Sequence, residues 1–357
     1  MSKILSLANQ VPDHRYSQAE LVAFMEQFIT NEVDLRKLKF IGREAGIDHK
    51  YSVLSDFKLN GDAQLFKNVN ESPTTDQRLS LYHIEAPKLA MSVSEKALAA
   101  AQLKADDITA IVTVSCTGIK APGLEVELAE RLGLPENIQR HSVNFMGCYA
   151  AFHGLRLADL ICQSNAKAKV LVVCVELCSL HFKADGSDDN LLSTALFGDG
   201  ASAAIVSGSD SEKGLAELVG FQSTLIPEGK EDMSWNIGNH GFDMVLNRNV
   251  PKHIERNIAR AFDNMLASQK WSRTDVQSFA IHPGGKNVLK AFANALQQEE
   301  LALDPSYKIL RDYGNMSSCT VLFVLEQILN QNKEQNIYAA AFGPGLTVES
   351  ALIKSIV

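Results

Sequence analysis

Hydrophobic positions along this chain follow two alternating patterns. Short continuous apolar runs recur at 110–116 (AIVTVSC), 169–178 (KVLVVCVELC), 201–206 (ASAAIV), 278–282 (SFAIH) and 337–342 (IYAAAF). Runs of this length, bounded by polar turns, predict strands, and their lack of apolar–polar alternation predicts burial on both faces. Between them the spacing becomes helical, which predicts helices over 86–102, 123–133, 148–164, 250–268, 285–297 and 316–331. Strands alternating with helices indicate an α/β architecture. Residues 207–240, rich in glycine, serine and charge, read as a connector with irregular excursions.

The second half of the chain repeats the plan of the first. ALAAAQLKADDITAIVTVSCTG (97–118) and MLASQKWSRTDVQSFAIHPGG (265–285) each run from a helix end through a polar turn and a buried strand into a small-residue loop. GCYAAFHGLRLADLI (147–161) matches GNMSSCTVLFVLEQI (314–328), and FGDGASAAIV (197–206) matches FGPGLTVESALI (342–353). Weak identity in a strong common order indicates an internal duplication, with halves at 1–210 and 211–357. If the halves pack about an approximate twofold, Cys148 and Asn315 occupy matching helix starts. His282 then closes the neighbouring strand, at the end where open α/β sheets bind ligands.

Composition narrows the function classes. The chain has 357 residues, 46% of them hydrophobic, enough for two domains or one doubled domain. Lys plus Arg number 34 against 42 Asp plus Glu, a net charge of −8 with no dense basic run, which argues against a nucleic-acid or anionic-membrane partner. The opening MSKILSLANQVPDH has its short apolar piece broken by polar residues and Pro12, unlike a signal peptide or a spanning helix, so a cytoplasmic enzyme is expected. The six cysteines lie inside apolar segments rather than in a disulfide framework. Cys174 and Cys178 lack CxxC spacing and a second pair, so no metal site is expected.

The candidate chemistry rests on Cys148, His282 and Asn315. Each has an ordinary structural reading: a buried free thiol, a turn histidine before Pro-Gly-Gly, and a helix N-cap. Their convergence in a doubled fold outweighs those readings. A thiol at a helix N-terminus gains thiolate character from the macrodipole and from a nearby imidazole, becoming a nucleophile near neutral pH. Asn315 and His282 can donate to an oxygen that gains negative charge. The set suits acyl transfer through a thioester and calls for neither metal nor redox cofactor. His153 falls on another helical face and reads as packing, and Cys116, in the position His282 holds in the other half, reads as structural. Two other classes fit the same residues: a papain-like hydrolase, which uses Cys, His and Asn in this order, and a non-catalytic subunit shaping another enzyme's product.

GCYAAFHGLRLA, LFGDGASAAIV, IHPGG, YGNMSSCTVLFVLE and FGPGLTVES together resemble the chalcone and stilbene synthase family, the type III polyketide synthases. CTGIKAPGLEVELAERLGL is also similar to the family, whereas the first hundred residues match loosely. The resemblance implies a thiolase-like fold with two pseudo-repeated halves in a five-layer αβαβα sandwich, and a homodimer. It implies that Cys148 accepts an acyl starter from a coenzyme A thioester, while His282 and Asn315 assist decarboxylation of malonyl-CoA and the ensuing condensation. Pyrone, resorcinol or phenol products would follow; a single condensation of ketoacyl synthase III type, on acyl-CoA or acyl-carrier-protein substrates, is the alternative. Phe197 falls at a gatekeeper position between the coenzyme A tunnel and the cavity, and Thr117, His181, Ser317 and Gly284 fall at substrate-binding positions.

Three departures stand out against that pattern. Met244 replaces a second gate phenylalanine, and Ala121 replaces a methionine before Pro122 in the dimer loop. Among the cations expected to meet coenzyme A phosphates only Lys37 persists, with Phe40 and Glu44 in place of others. Arg43 or Lys50 would then carry phosphate contacts, or an acyl carrier protein would deliver the substrate.

Overall fold

The computed structural model describes residues 1–58, 63–68, 71–183, 186–208 and 212–356. The first half begins with β1 (Lys3–Gln10), β2 (His14–Ser17), α1 (Gln18–Glu26), α2 (Glu32–Glu44), β3 (His49–Ser52) and the long α3 (Thr75–Ala100). It continues through β4 (Ala110–Ser115), α4 (Leu124–Leu132), β5 (Gln139–Asn144), α5 (Ala150–Ser164), β6 (Lys169–Leu177), α6 (Asp188–Leu196) and β7 (Asp199–Ser207). The second half opens with β8 (Ala216–Leu225), a hairpin of β9 (Met233–Gly238) and β10 (Gly241–Leu246), α7 (Val250–Ser268) and β11 (Ser278–Ile281). It closes with α8 (Lys286–Leu296), α9 (Asp304–Tyr313), α10 (Thr320–Leu329), β12 (Asn336–Gly343) and β13 (Thr347–Ser355).

Among the described residues nine strands form one sheet, in the order β11-β12-β13-β8-β1-β7-β6-β4-β5. The internal duplication is visible in its pairing. β4 runs parallel to β6, which is antiparallel to β7, which is antiparallel to β1. β11, β12, β13 and β8 repeat that sequence of senses. The two halves join edge to edge where Lys3 and Ile4 pair with Glu217 and Ala216. At the far edge Ser306 of α9 donates its hydroxyl to the Ile281 carbonyl, on the side of β11 where the first half has β5.

The unbroken apolar strands are buried on both faces because each face meets its own helix layer. In β6, Leu171, Val173, Val175 and Leu177 enter an outer core with α3, while Val170, Val172 and Cys174 enter a central core with α5 and α10. Full burial of such a side chain stabilises the fold by roughly 1.5–3 kcal/mol. Gly154 lets α5 sit close on this sheet: a Cβ there would lie 2.9 Å from Val114 and 3.0 Å from Val172. With α7 and α8 covering the second half, the layers read αβαβα.

Residues 207–240 depart from the connector reading. They contain β8, which lies between β13 and β1 in the sheet, and β9. The polar residues that disguise β8 have partners: Ser223 donates to Glu349, and Gln222 to the Ala261 carbonyl. The same holds for β1, where Ser6 donates to the Ala97 carbonyl and Asn9 to Glu326. α3 starts well before residue 86, at a capping box between Thr74 and Gln77, and carries Pro87 inside. The helix expected over 316–331 resolves into a 3₁₀ turn, Ser317–Cys319, followed by α10, because the Thr320 side chain bonds the Met316 N–H and the Ser317 carbonyl. Among the described residues no helix is long and apolar enough to cross a membrane.

Candidate active site

Cys148 lies two residues before α5, in a turn that only a small, permissive residue can make. Gly147 has φ +83°, and a Cβ there would lie 2.2 Å from Pro344. Its N–H donates to the Cys116 sulfur at 2.9 Å, which gives Cys116 the structural role read from sequence. The Cys148 thiol lies 4.0 Å from Asn315 Oδ1. That oxygen also accepts the Ser317 N–H at 2.8 Å, an Asx-type turn holding Ser317 at φ +49°. Asn315 Nδ2 points to the Gly284 carbonyl at 3.5 Å.

Backbone contacts tie the gate position to the same centre. The Asn315 N–H donates to the Leu196 carbonyl and the Gly198 N–H to the Asn315 carbonyl, both at 2.9 Å, so Phe197 and Asn315 form a parallel bridge. His282 follows β11, with its N–H on the Ala340 carbonyl. The imidazole is fully buried, and neither ring nitrogen has a hydrogen-bond partner among the described residues.

One cavity of about 320 Å³ brings these groups together. Cys148, His282 and Asn315 line it, and so do Phe197, Met244, Thr117, Ser317 and Gly284. His181 does not. Its ring stacks on Phe242 at 4.0 Å, with Nε2 2.7 Å from the Thr117 carbonyl and Nδ1 accepting the Phe242 N–H, so it braces the wall from behind.

The expected phosphate contacts also change. Lys37 pairs with Asp34 and Asp188 away from the cavity lining, and Arg43 lies near Glu44 and over the Phe40 ring. Lys50 is buried; it donates to the Thr194 carbonyl, and burial pushes it down to about 7 against the attraction of Asp199. None of the three lines the cavity mouth.

Two residues of the site were missed in the sequence, one in the wall and one behind it. Trp235 lines the cavity opposite Met244 in the β9–β10 register and donates Nε1–H to the Cys116 carbonyl at 2.8 Å. Its segment carried no periodic signal. Glu176 stands behind the wall, fully buried, accepting from the Cys116 N–H, the Thr117 hydroxyl and the Ser318 hydroxyl. A lone charge in VVCVELC was the available signal, since an acid in a doubly buried strand requires partners.

The chain matches the family models for chalcone and stilbene synthases along nearly all its length. The N-terminal domain model covers residues 1–211 and the C-terminal domain model residues 217–357. The chain belongs to this family. It is similar to bisdemethoxycurcumin synthase of Oryza sativa subsp. japonica, 31% identical over 99% of this chain and 92% of that protein. It is also similar to the alpha-pyrone synthesis polyketide synthase-like Pks18 of Mycobacterium tuberculosis, 32% identical over 80% of this chain and 75% of that protein. Among solved structures, PKS-I from the brown alga Ectocarpus siliculosus superposes with a TM-score of 0.95 at 29% identity, covering 99% of this chain and 98% of that one. The C-terminal type III polyketide synthase domain of Steely1 from Dictyostelium gives 0.92 at 29% identity, covering 100% and 99%. The fold is therefore thiolase-like, and the protein is an acyl-transferring condensing enzyme, a type III polyketide synthase, whose substrates are of the coenzyme A thioester kind.

The electrostatics of the synthase's site oppose isolated charges. Burial pushes the Cys148 thiol up to about 12, with hydrogen bonds from Ser317 and Asn315 working the other way, and pushes His282 down to about 3. Burial likewise raises Glu176 to about 7, against the hydrogen bonds from Ser318, Cys116 and Thr117.

Proposed function

We propose that Cys148 is the nucleophile of this synthase, taking the acyl group of a starter thioester while His282 accepts its proton. A malonyl thioester then enters the same cavity. His282 and Asn315 assist its decarboxylation by holding the thioester oxygen as the enolate forms, and the carbanion attacks the acyl-enzyme in a decarboxylative Claisen condensation. Repeated rounds and ring closure give pyrone, resorcinol or phenol products.

One observation carries this reading: Cys148, Asn315 and a buried imidazole with two unpartnered nitrogens share a single cavity beside the gate position Phe197. Buried polar groups are normally satisfied, so an orphaned imidazole there suits proton transfer to and from a substrate. Six unpaired cysteines support a reducing, cytoplasmic setting, and the thiol, imidazole and amide need no cofactor beyond the thioester substrates. The working unit is proposed to be a homodimer.

Intact-protein mass spectrometry after mixing with a panel of acyl-CoA starters tests the proposal. An adduct that requires Cys148 and is discharged by malonyl-CoA supports it. Carbon–carbon bond formation by Cys148→Ala would overturn it.

A further inference from the structure

Arg248, Lys252 and Arg256 recur every four residues from the β10–α7 turn into α7, and all three are exposed. Lys286 and Lys290 recur at the same interval on the first turns of α8, which packs against α7. Helical residues four apart share a face, so the cations extend as stripes along the two helices. Among the described residues none of the five enters an ion pair. The acids nearby are Glu44, which lines the cavity, Glu255, beside Arg256, and three held by neighbouring groups: Asp232 on His253, Glu228 on Asn257 and Asp189 on the Leu246 N–H.

Both stripes begin at the active-site cavity. Arg248 and Lys286 line its mouth, whereas Lys252, Arg256 and Lys290 lie farther along the helices, outside the lining. Each four-residue step along a helix advances about 6 Å. The cations of α2, whose Phe40, Ile41 and Glu44 line the cavity, lie outside the lining and have acidic neighbours: Lys37 with Asp34 and Asp188, Lys39 with Glu26, and Arg43 with Glu44.

We infer that this face docks an acidic acyl carrier protein whose phosphopantetheine arm enters between Arg248 and Lys286. The inference rests on the acyl-transfer reading above. Coenzyme A carries its diphosphate and 3′-phosphate at the adenosine end, which stays at the mouth as the pantetheine arm threads inward, so it needs cations only there. Lys252, Arg256 and Lys290 lie beyond that point, on a chain whose net charge is −8. A local positive surface on an acidic protein steers and orients an acidic macromolecular partner. In the transfer itself the Cys148 sulfur forms a bond to the acyl carbon and the bond from that carbon to the phosphopantetheine sulfur breaks. The departing sulfur takes up the proton that Cys148 gave to His282.

The test loads hexanoyl, dodecanoyl and palmitoyl groups both on a fatty-acid-type acyl carrier protein and on coenzyme A, and follows acylation of Cys148 by intact mass. The wild-type protein is compared with the triple variant Lys252→Glu, Arg256→Glu, Lys290→Glu. The expected result is a loss of about tenfold or more in the rate from carrier protein, with added salt slowing the wild-type reaction and acylation from coenzyme A within about twofold. Retained coenzyme A loading also reports that the variant is folded. Equal loss from both donors, an unchanged carrier rate, or wild-type loading from coenzyme A alone would each overturn the docking inference while leaving the acyl-transfer reading in place. Absence of loading from both donors would overturn both.

Discussion

The thiol of Cys148 and the amide oxygen of Asn315 lie 4.0 Å apart, although 167 residues separate them in the chain. One residue precedes α5 and the other the turn into α10, the paired helices of the central layer. The active site is thus a product of the duplication: matching positions in two copies of one plan carry different chemistry and meet across the pseudo-twofold.

That geometry separates acylation from condensation. On the proposed mechanism, Asn315→Ala keeps the nucleophile and its proton acceptor but removes the amide that would donate to the developing enolate. Starter loading on Cys148 should persist, while malonyl-CoA decarboxylation falls about 10²–10³-fold. Loading by intact mass and release of carbon dioxide, measured side by side, check this; equal loss of both steps would contradict it.

His282→Gln tests the coupling of thiol and imidazole. On the proposed mechanism the variant removes the imidazolium that would stabilise a Cys148 thiolate, so a higher pH is needed to form the thiolate. The pH profile for alkylation of Cys148 by iodoacetamide should move upward relative to the wild type, with Cys148→Ala as the blank. An unmoved profile would show that the two groups do not share a proton.

Glu176 gives a stability signature with a defined sign. Its folded value of about 7 lies above the ordinary 4.5, so its contribution is fully present below about pH 4.5 and is lost as pH rises through about 7. The displacement corresponds to about 3 kcal/mol. Denaturant unfolding between pH 4.5 and 8 should therefore show a steeper decline for the wild type than for Glu176→Gln. Parallel curves would indicate that Glu176 is ionised throughout.

Trp235 and Met244 face one another across the β9–β10 hairpin and both form the cavity wall. Trp235→Ala removes the larger side chain and the bond to the Cys116 carbonyl. Products should shift toward additional acetate units, read by mass spectrometry of the released polyketides, with some loss of thermal stability because wall packing is lost. An unchanged product distribution would place the limit on chain length elsewhere.

Much of the molecule was legible before any contact was known. The doubly buried strands, the repeated plan and the positions of Cys148, His282 and Asn315 depend on local signals: strand-length apolar runs, glycine turns and helix starts that recur in order. β1 and β8 were not legible, because their polar residues are satisfied only by distant partners such as the Ala97 carbonyl for Ser6 and Glu349 for Ser223. His181 was placed on the wall by resemblance, yet Phe242 covers it, and nothing near residue 181 in the chain could report a ring from residue 242.

The sequence by itself determined the α/β alternation, the repeated plan and the choice of Cys148, His282 and Asn315 as candidates, since each is encoded within one strand–turn–helix unit. Tertiary structure alone decided that the halves join through β1 and β8, that Trp235 closes the wall, and that Glu176 ties Thr117 to Ser318. It also decided which cations are paired and which face the mouth. Those outcomes depend on side chains far apart in the chain and close in space, where burial and partner choice set the energy, and no local pattern carries that information.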